Sequence, residues 1–445
     1  MSAAMTNFLS ISTIDITKTE KSFNEYDDLY DYEKLKNVLT SIVDRHIGQS
    51  IISGRSVLMK PNWVTHSTKP GDQYCLRTHD NFILATLAVL LDYKPTKVLV
   101  GDAPIQGCDW DKMISPSFKR KVNALSIESG IPVQIIDFRR RTFHRNGNRP
   151  KYDLRPIEEY IIFDLGSRSF LEPIISNAKT NFRVTDYDPG RMTSAHSRGV
   201  HKYCIRKDFF DADVIISLPK IKTHQKTAIT GALKNIVGIN GDKDFLPHHR
   251  LGGTKIGGDC YPGGSYLRYL SELSLDNANK RQGTPYYWLW KKLSTILWRF
   301  SLPGPEHNLA AGWYGNDTTW RMVKDLNVIA EYGLPDGTFS EIPQRKIYSI
   351  CDGIIAGQGD GPLEPSPLKL GVISCTDNSQ VNDRAMAILM GLNVDKIPLL
   401  SNPGNILRQC NIMLNGIPVQ LENLKGIAVK ARPPRGWAKA LKEVV

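Results

Sequence analysis

Between Lys220 and Arg250 the chain gathers Lys220, Lys222, Thr223, His224, Lys226 and Lys234, followed by His248, His249 and Arg250. Lysines this dense repel one another unless an anion or carboxylates lie among them, so the pattern predicts a site for a small phosphorylated or carboxylated ligand. An exposed basic helix whose lysines never converge is the competing reading. His224 is the expected proton-transfer residue, because an imidazole titrates near neutral pH without help. Lys234 is expected at the ligand, beside the small residues Gly231 and Ala232, where a backbone can approach closely. His248 and His249 are the one adjacent pair among ten histidines, and since neighbouring side chains diverge, only one of them need face a site. If a divalent metal is bound, His224 and His249 are the expected ligands, with Asp259 or Asp360 as a further one.

These residues follow elements that end in polar loops. Ser56 to Met59 reads as a strand that stops at Lys60-Pro61-Asn62, since Pro cannot continue a ladder, and this places Lys60 and Asn62 at a strand end. Lys97 to Val100 reads as a second strand, ending at Gly101-Asp102-Ala103-Pro104, where Asp102 is placed to orient a Lys, a His or a ligand hydroxyl. Val133 to Ile136 and Val214 to Leu218 are further strands; helices are expected over Tyr30 to His46, Phe82 to Leu91 and Gln380 to Met390. Gly357 to Pro362 reads as a tight turn presenting Asp360. Asp213 is expected to cap local backbone, and Asp383 to be an N-cap or first-turn residue of its own helix.

The β-loop-α-β alternation predicts an α/β fold of open, mostly parallel sheets flanked by helices, in two lobes with a cleft between them. Ligands of such sheets bind at the carboxyl ends of the strands, which directs attention to the loop after Leu218. With 445 residues the chain is expected to divide into an N-terminal extension over 1–54, an α/β domain over 55–278 and a second α/β segment over 279–445.

Composition excludes several classes. Apolar residues are 41% and charged residues 23%, as in ordinary folded domains rather than disordered chains. No run of 18 apolar residues is present and the start lacks a signal-peptide pattern, so the expected address is the cytoplasm, with the seven Cys reduced. The cysteines form no CxxC pair, which argues against a zinc knuckle or an iron-sulfur cluster. No GxxxxGK[ST], GxSxG or HExxH occurs. The net charge of +12 favours anionic partners. Its basic stretch 139–153 reads as an exposed insertion. The aromatic, basic run Tyr286 to Phe300 reads as a helix over the core or at a dimer contact, with a peripheral contact to anionic membrane as the alternative. Nucleic acid is a weaker expectation, since no recognised binding motif is present.

VLMKPNW (57–63), VLVGDAP (98–104), the block from Asp211 to Gly238, DGIIAGQGDGP (352–362) and NDRAMAILMG (382–391) together resemble the family called domain of unknown function 362. Many of its members carry an iron-sulfur ferredoxin module whose cysteines are missing here. The chain also resembles lactate racemase and its nickel-pincer-nucleotide relatives in one block: a His, ten positions later the Lys that tethers the cofactor, then a downstream His. His224, Lys234 and His248 or His249 match this order, and Arg77 resembles the substrate-binding Arg. The resemblance implies a racemase or epimerase using a nickel-pincer nucleotide. It breaks at Gly101-Asp102-Ala103-Pro104, where those enzymes carry a His. Lys234 is therefore expected to be a charged anion clamp, without nickel or a covalent adduct.

Overall fold

The computed structural model describes residues 7–17, 26–146, 149–175, 181–185, 187–301, 310–401 and 410–441. One sheet dominates it. Its strands are β1 (Asn7–Thr13), β2 (Ser56–Pro61), β3 (Lys97–Asp102), β4 (Val133–Asp137), β5 (Val214–Leu218), β6 (Lys220–His224), β7 (Ala228–Thr230), β8 (Ile347–Asp360), β9 (Glu364–Thr376), β10 (Cys410–Leu414) and β11 (Ile417–Pro418). The order is β11-β10-β1-β9-β8-β5-β2-β3-β4, with β6 on β8 and β7 on β6. Every pairing from β8 through β5, β2 and β3 to β4 is parallel, whereas β9 runs antiparallel to both β1 and β8. The fold is α/β with a large, mostly parallel sheet flanked by helices, as the alternation of the sequence requires.

The expected segments do not keep separate sheets. β1 comes from 1–54, β2 to β7 from 55–278 and β8 to β11 from 279–445, and all lie in one sheet. β1 is inserted between β9 and β10 rather than appended, with Leu9 and Ile11 fully buried. Pairing across hundreds of positions leaves no local trace that would mark such a strand as part of a distant sheet.

The helices follow their apolar periods. α1 (Tyr32–His46) buries Leu35, Leu39, Ile42 and Val43 on one face and is capped by Asp31, which accepts from Lys34 N. α2 (Asp80–Asp92) is buried on all sides from Phe82 to Leu91. α3 (Pro116–Ser129) starts on a Ser115 cap with Pro at its first position and stops at a left-handed Gly130. The remaining helices named below are α4 (Ala232–Asn235), α5 (Tyr266–Asn279), α6 (Tyr286–Phe300), α7 (Thr319–Tyr332) and α8 (Ser379–Leu389).

The 139–153 stretch is not a structureless insertion: Arg141–Asn146 and Arg149–Leu154 pair as an antiparallel hairpin. Three of its arginines are paired. Arg139 is buried on Asp137 at 2.7 Å, Arg140 pairs with Asp242 at 2.9 Å and Arg141 with Asp244 at 3.5 Å. α6 packs on α5 through Ser294 and Ser271, yet Tyr286, Leu289, Leu293, Ile296 and Phe300 form an exposed stripe at alternating spacings of three and four.

Lys220 is part of this framework. Its ammonium lies opposite Asp352 in the β6–β8 register, 2.9 Å from Oδ2, and also donates to the Tyr30 hydroxyl, which itself donates to Asp352 Oδ1. All three side chains are fully buried. Removing one partner of such a pair strands the other charge, so Lys220→Met is expected to cost about 3–5 kcal/mol in urea unfolding. The double variant Lys220→Met/Asp352→Asn should lose clearly less than the single one.

Candidate functional site

The sequence places the remaining basic groups at the carboxyl ends of parallel strands. Lys60, next to last in β2, is fully buried and lies 2.7 Å from Asp102 Oδ1 at the end of β3. Asp102 also accepts from Trp63 N and from Ala103 N, which fixes its carboxylate. Gly238 closes over the pair: a Cβ there would fall 1.7 Å from Asp102 Oδ1 and 2.6 Å from Lys60 Nζ. Asn235, the last residue of α4, ties two strand ends together by donating to Lys60 O and Ser217 Oγ and accepting from Asn62 Nδ2.

Lys234 stands at the centre. Its ammonium makes no ion pair or hydrogen bond among the described residues and is not sealed from solvent, although protein surrounds it. Burial, reinforced by the charges of Lys243, Lys226 and Lys60, lowers its pKa from 10.5 to about 7. Lys222 donates to Leu76 O and is likewise brought to about 7, mainly by burial. Lys243 donates to Ala103 O and is brought to about 8, again mainly by burial. No carboxylate among the described residues pairs with Lys222, Lys234 or Lys243. Lys234 therefore departs from the ordinary ammonium expected of a simple clamp: its low pKa is the property an amine nucleophile needs.

Two imidazoles face the same charges in opposite tautomers. His224 Nδ1 accepts from Lys226 N and Thr227 N, so the neutral ring carries its proton on Nε2. His248 Nδ1 lies 2.7 Å from Leu246 O and must donate to it, which leaves a lone pair on Nε2. Neither Nε2 has a protein partner among the described residues, and neither is sealed from solvent. Burial first, then surrounding lysines, hold both rings well below the usual histidine pKa. The arrangement offers a hydrogen-bond donor, a base and a field of cations within one recess. Of the two rings, His224, the expected proton-transfer residue, presents a proton on Nε2, and His248 presents a lone pair there. The same occupied Nδ1 and protonated Nε2 make His224 a poor metal ligand.

Other expected residues lie elsewhere. Lys220 is neutralised by Asp352 as described. Arg77 is engaged with Asp80, with Nη1 at 2.5 Å from Oδ1, so it does not present a free guanidinium. Asp360 is the last residue of β8, with its carboxylate held by Arg435 Nε at 2.6 Å, and not the tip of a tight turn. Asp259 is filled by Arg250 N, Asp317 N and the Thr318 hydroxyl, which removes it as a ligand. His249 Nε2 lies 3.6 Å from Glu272 Oε1. Asp213 does not cap local backbone as expected: it accepts from Ser56 N and Oγ at the start of β2, 157 positions away in the chain.

Four contributors escaped sequence reasoning: Lys243, Asn235, Gly238 and Asp383. Asp383 lies inside α8, whose cap is Asn378, and its carboxylate instead accepts from Ala232 N and Leu233 N, capping α4 and so placing Lys234. Gly231 is needed there, since a Cβ would meet Asp383 Oδ1 at 2.2 Å. Lys243 sat in the basic block as one more charge; the signal that could have singled it out is its place after the NGD turn.

No curated protein matches the chain, so the racemase resemblance rests on the His-Lys-His spacing alone. A crystal structure of a protein from Thermotoga maritima is similar at 10% identity, over 76% of this chain and 53% of that one, with a TM-score of 0.33. The chain thus spans about half the length of that protein. The model of one protein family matches residues 167–387, a stretch that includes β5 to β7, α4 and both histidines of the recess. Through this segment the chain belongs to the family described as a domain of unknown function, DUF362.

Proposed function

We propose that this chain is an enzyme that binds a small phosphorylated or carboxylated substrate in the recess around Lys234. The observation that carries the reading is the crowding of Lys222, Lys234 and Lys243 without a carboxylate of their own. Each has a pKa of about 7 to 8, because burial and mutual repulsion disfavour the charge. An anion supplies the missing countercharge. Lys60 serves the site indirectly, held on Asp102, with Asn62 beside it. His224 Nε2–H donates to a substrate oxygen as charge develops there, and His248 Nε2 accepts a proton. The pairing of a neutral donor with a neutral base suits proton transfer next to a carboxylate or carbonyl.

A second reading is favoured by the same low pKa of Lys234, which is that of a nucleophilic amine. In it Lys234 holds a cofactor covalently, as in the nickel-pincer racemases, and His224 and His248 flank the tether. The mass of the denatured protein from its native source decides between the two. The first reading expects the sequence mass; an adduct lost in Lys234→Arg, with stoichiometric nickel, would establish the second. No helix among the described residues is long and apolar enough to cross a membrane. A peripheral contact with anionic lipid would run through the exposed α6 stripe, beside the exposed Lys292 and Arg299.

The charge state makes the first reading measurable. Between about pH 7 and pH 10.5 the folded lysines hold fewer protons than the unfolded ones, so the stability of the free protein should rise with pH across that window. A bound anion raises the lysine pKa values and draws protons back. Calorimetric titration with pyrophosphate and with malonate at pH 8, in Tris and in HEPES, is expected to show net proton uptake for at least one of them. Affinity should weaken as pH rises from 7 to 9, and Lys234→Ala should weaken it about tenfold or more. No heat with either anion, or binding without proton uptake, would overturn the reading.

A further inference from the structure

A second cluster is built on His249, the neighbour of His248. His249, Cys260 and Glu272 are 5%, 3% and 8% exposed, and one donor atom from each lies within 4.8 Å of the other two. They come from a two-residue strand, the loop after it and α5. Sequence reading missed the set because its spacings of 11 and 12 match no short metal motif and it uses a single Cys.

The polar groups of this cluster are incompletely satisfied. Glu272 Oε2 accepts from Gly252 N at 2.8 Å and the Cys260 thiol interacts with the carboxylate, but among the described residues Oε1 and His249 Nδ1 are buried without a well-formed hydrogen bond. His249 Nε2 lies 3.6 Å from Glu272 Oε1, beyond hydrogen-bond reach. Neither nitrogen of the ring is therefore held by a protein group. Buried polar atoms left in this state are rare and costly, and they call for an absent partner. Two ligand atoms bonded to one tetrahedral zinc at about 2.0–2.1 Å stand about 3.4 Å apart, close to the separation found here.

We propose that His249, Cys260 and Glu272 bind a divalent cation of the zinc class, with water completing a four-coordinate site. The sulfur, nitrogen and oxygen donor set selects zinc over magnesium or calcium. On binding, the Cys260 S–H bond breaks, its proton leaves to solvent and the thiolate pair forms the bond to the metal; no electron is transferred. One thiolate and one carboxylate balance the dication, so the loaded site carries no net charge beside Lys226 and Arg183. Its place in the fold gives it a structural purpose: it pins the strand from which the neighbouring His248 reaches the recess.

The test is cobalt titration of the full chain after removal of metals by chelator. One equivalent of Co²⁺ should produce a thiolate-to-cobalt band in the near ultraviolet with the visible bands of a four-coordinate ion, and Zn²⁺ should abolish both. Cys260→Ser should remove the thiolate band and Glu272→Gln should weaken binding at least tenfold, whereas Cys410→Ser and Lys234→Ala should keep the full spectrum. Saturation without the thiolate band, no saturable spectrum in the wild-type chain, or a band that survives Cys260→Ser would overturn the proposal. The wild-type titration decides even where a variant fails to fold. Because Lys234→Ala leaves this cluster intact, failure here and failure of the anion site are read separately.

Discussion

Repulsion among buried ammonium groups is the constraint around which the recess is organised. Lys60 and Lys220 are relieved of it by dedicated carboxylates, Asp102 and Asp352. Lys222, Lys234 and Lys243 form no ion pair among the described residues, and burial pushes protons off them, helped at Lys234 by the charges of Lys243, Lys226 and Lys60 and opposed at Lys243 by Asp102. A fold selected for stability alone would place carboxylates there. Leaving the charges unpaired raises the energy of the free protein, a cost that the proposed anion would offset.

Holding cations together against their repulsion demands rigid supports, and these come from far apart in the chain. Asp383 of α8 caps α4 and fixes Lys234; Asn235, one residue on, cross-links the ends of β2 and β5; Gly238 allows the next turn to sit directly on the Lys60–Asp102 pair. The same supports settle the division of labour between the histidines. Backbone donors occupy His224 Nδ1 and a backbone acceptor occupies His248 Nδ1, so the fold sets one ring as donor and the other as base.

Much of the framework was legible because it is local. Val57 to Lys60, Lys97 to Val100 and Val214 to Leu218 announce buried parallel strands, the Pro61 and Pro104 positions mark their ends, and the period of Leu35, Leu39, Ile42 and Val43 defines α1. The density of lysine and histidine after Leu218 marked a stretch whose Lys222, His224, Lys234 and His248 the fold brings near one another. What the residues could not reveal is which charges are already matched: Lys220 and Lys222 look alike two positions apart, yet only the first meets a carboxylate, some 130 residues downstream. Asp383 looked like a cap for its own helix because sequence cannot show that it serves another. β1 belongs to a sheet completed by strands at the opposite end of the chain, a pairing that no window of local pattern contains.

The central claim is that Lys234 is an amine held near neutrality for want of a countercharge. The most direct test is its own titration, followed by NMR of ¹³C-dimethylated lysines, with the Lys234 resonance assigned by its loss in Lys234→Arg. The account predicts a midpoint several pH units below that of a surface lysine in the free protein, near the value of about 7, and a shift to higher pH when pyrophosphate or malonate is added. A midpoint near 10.4, the ordinary lysine value, that neither anion moves would contradict it.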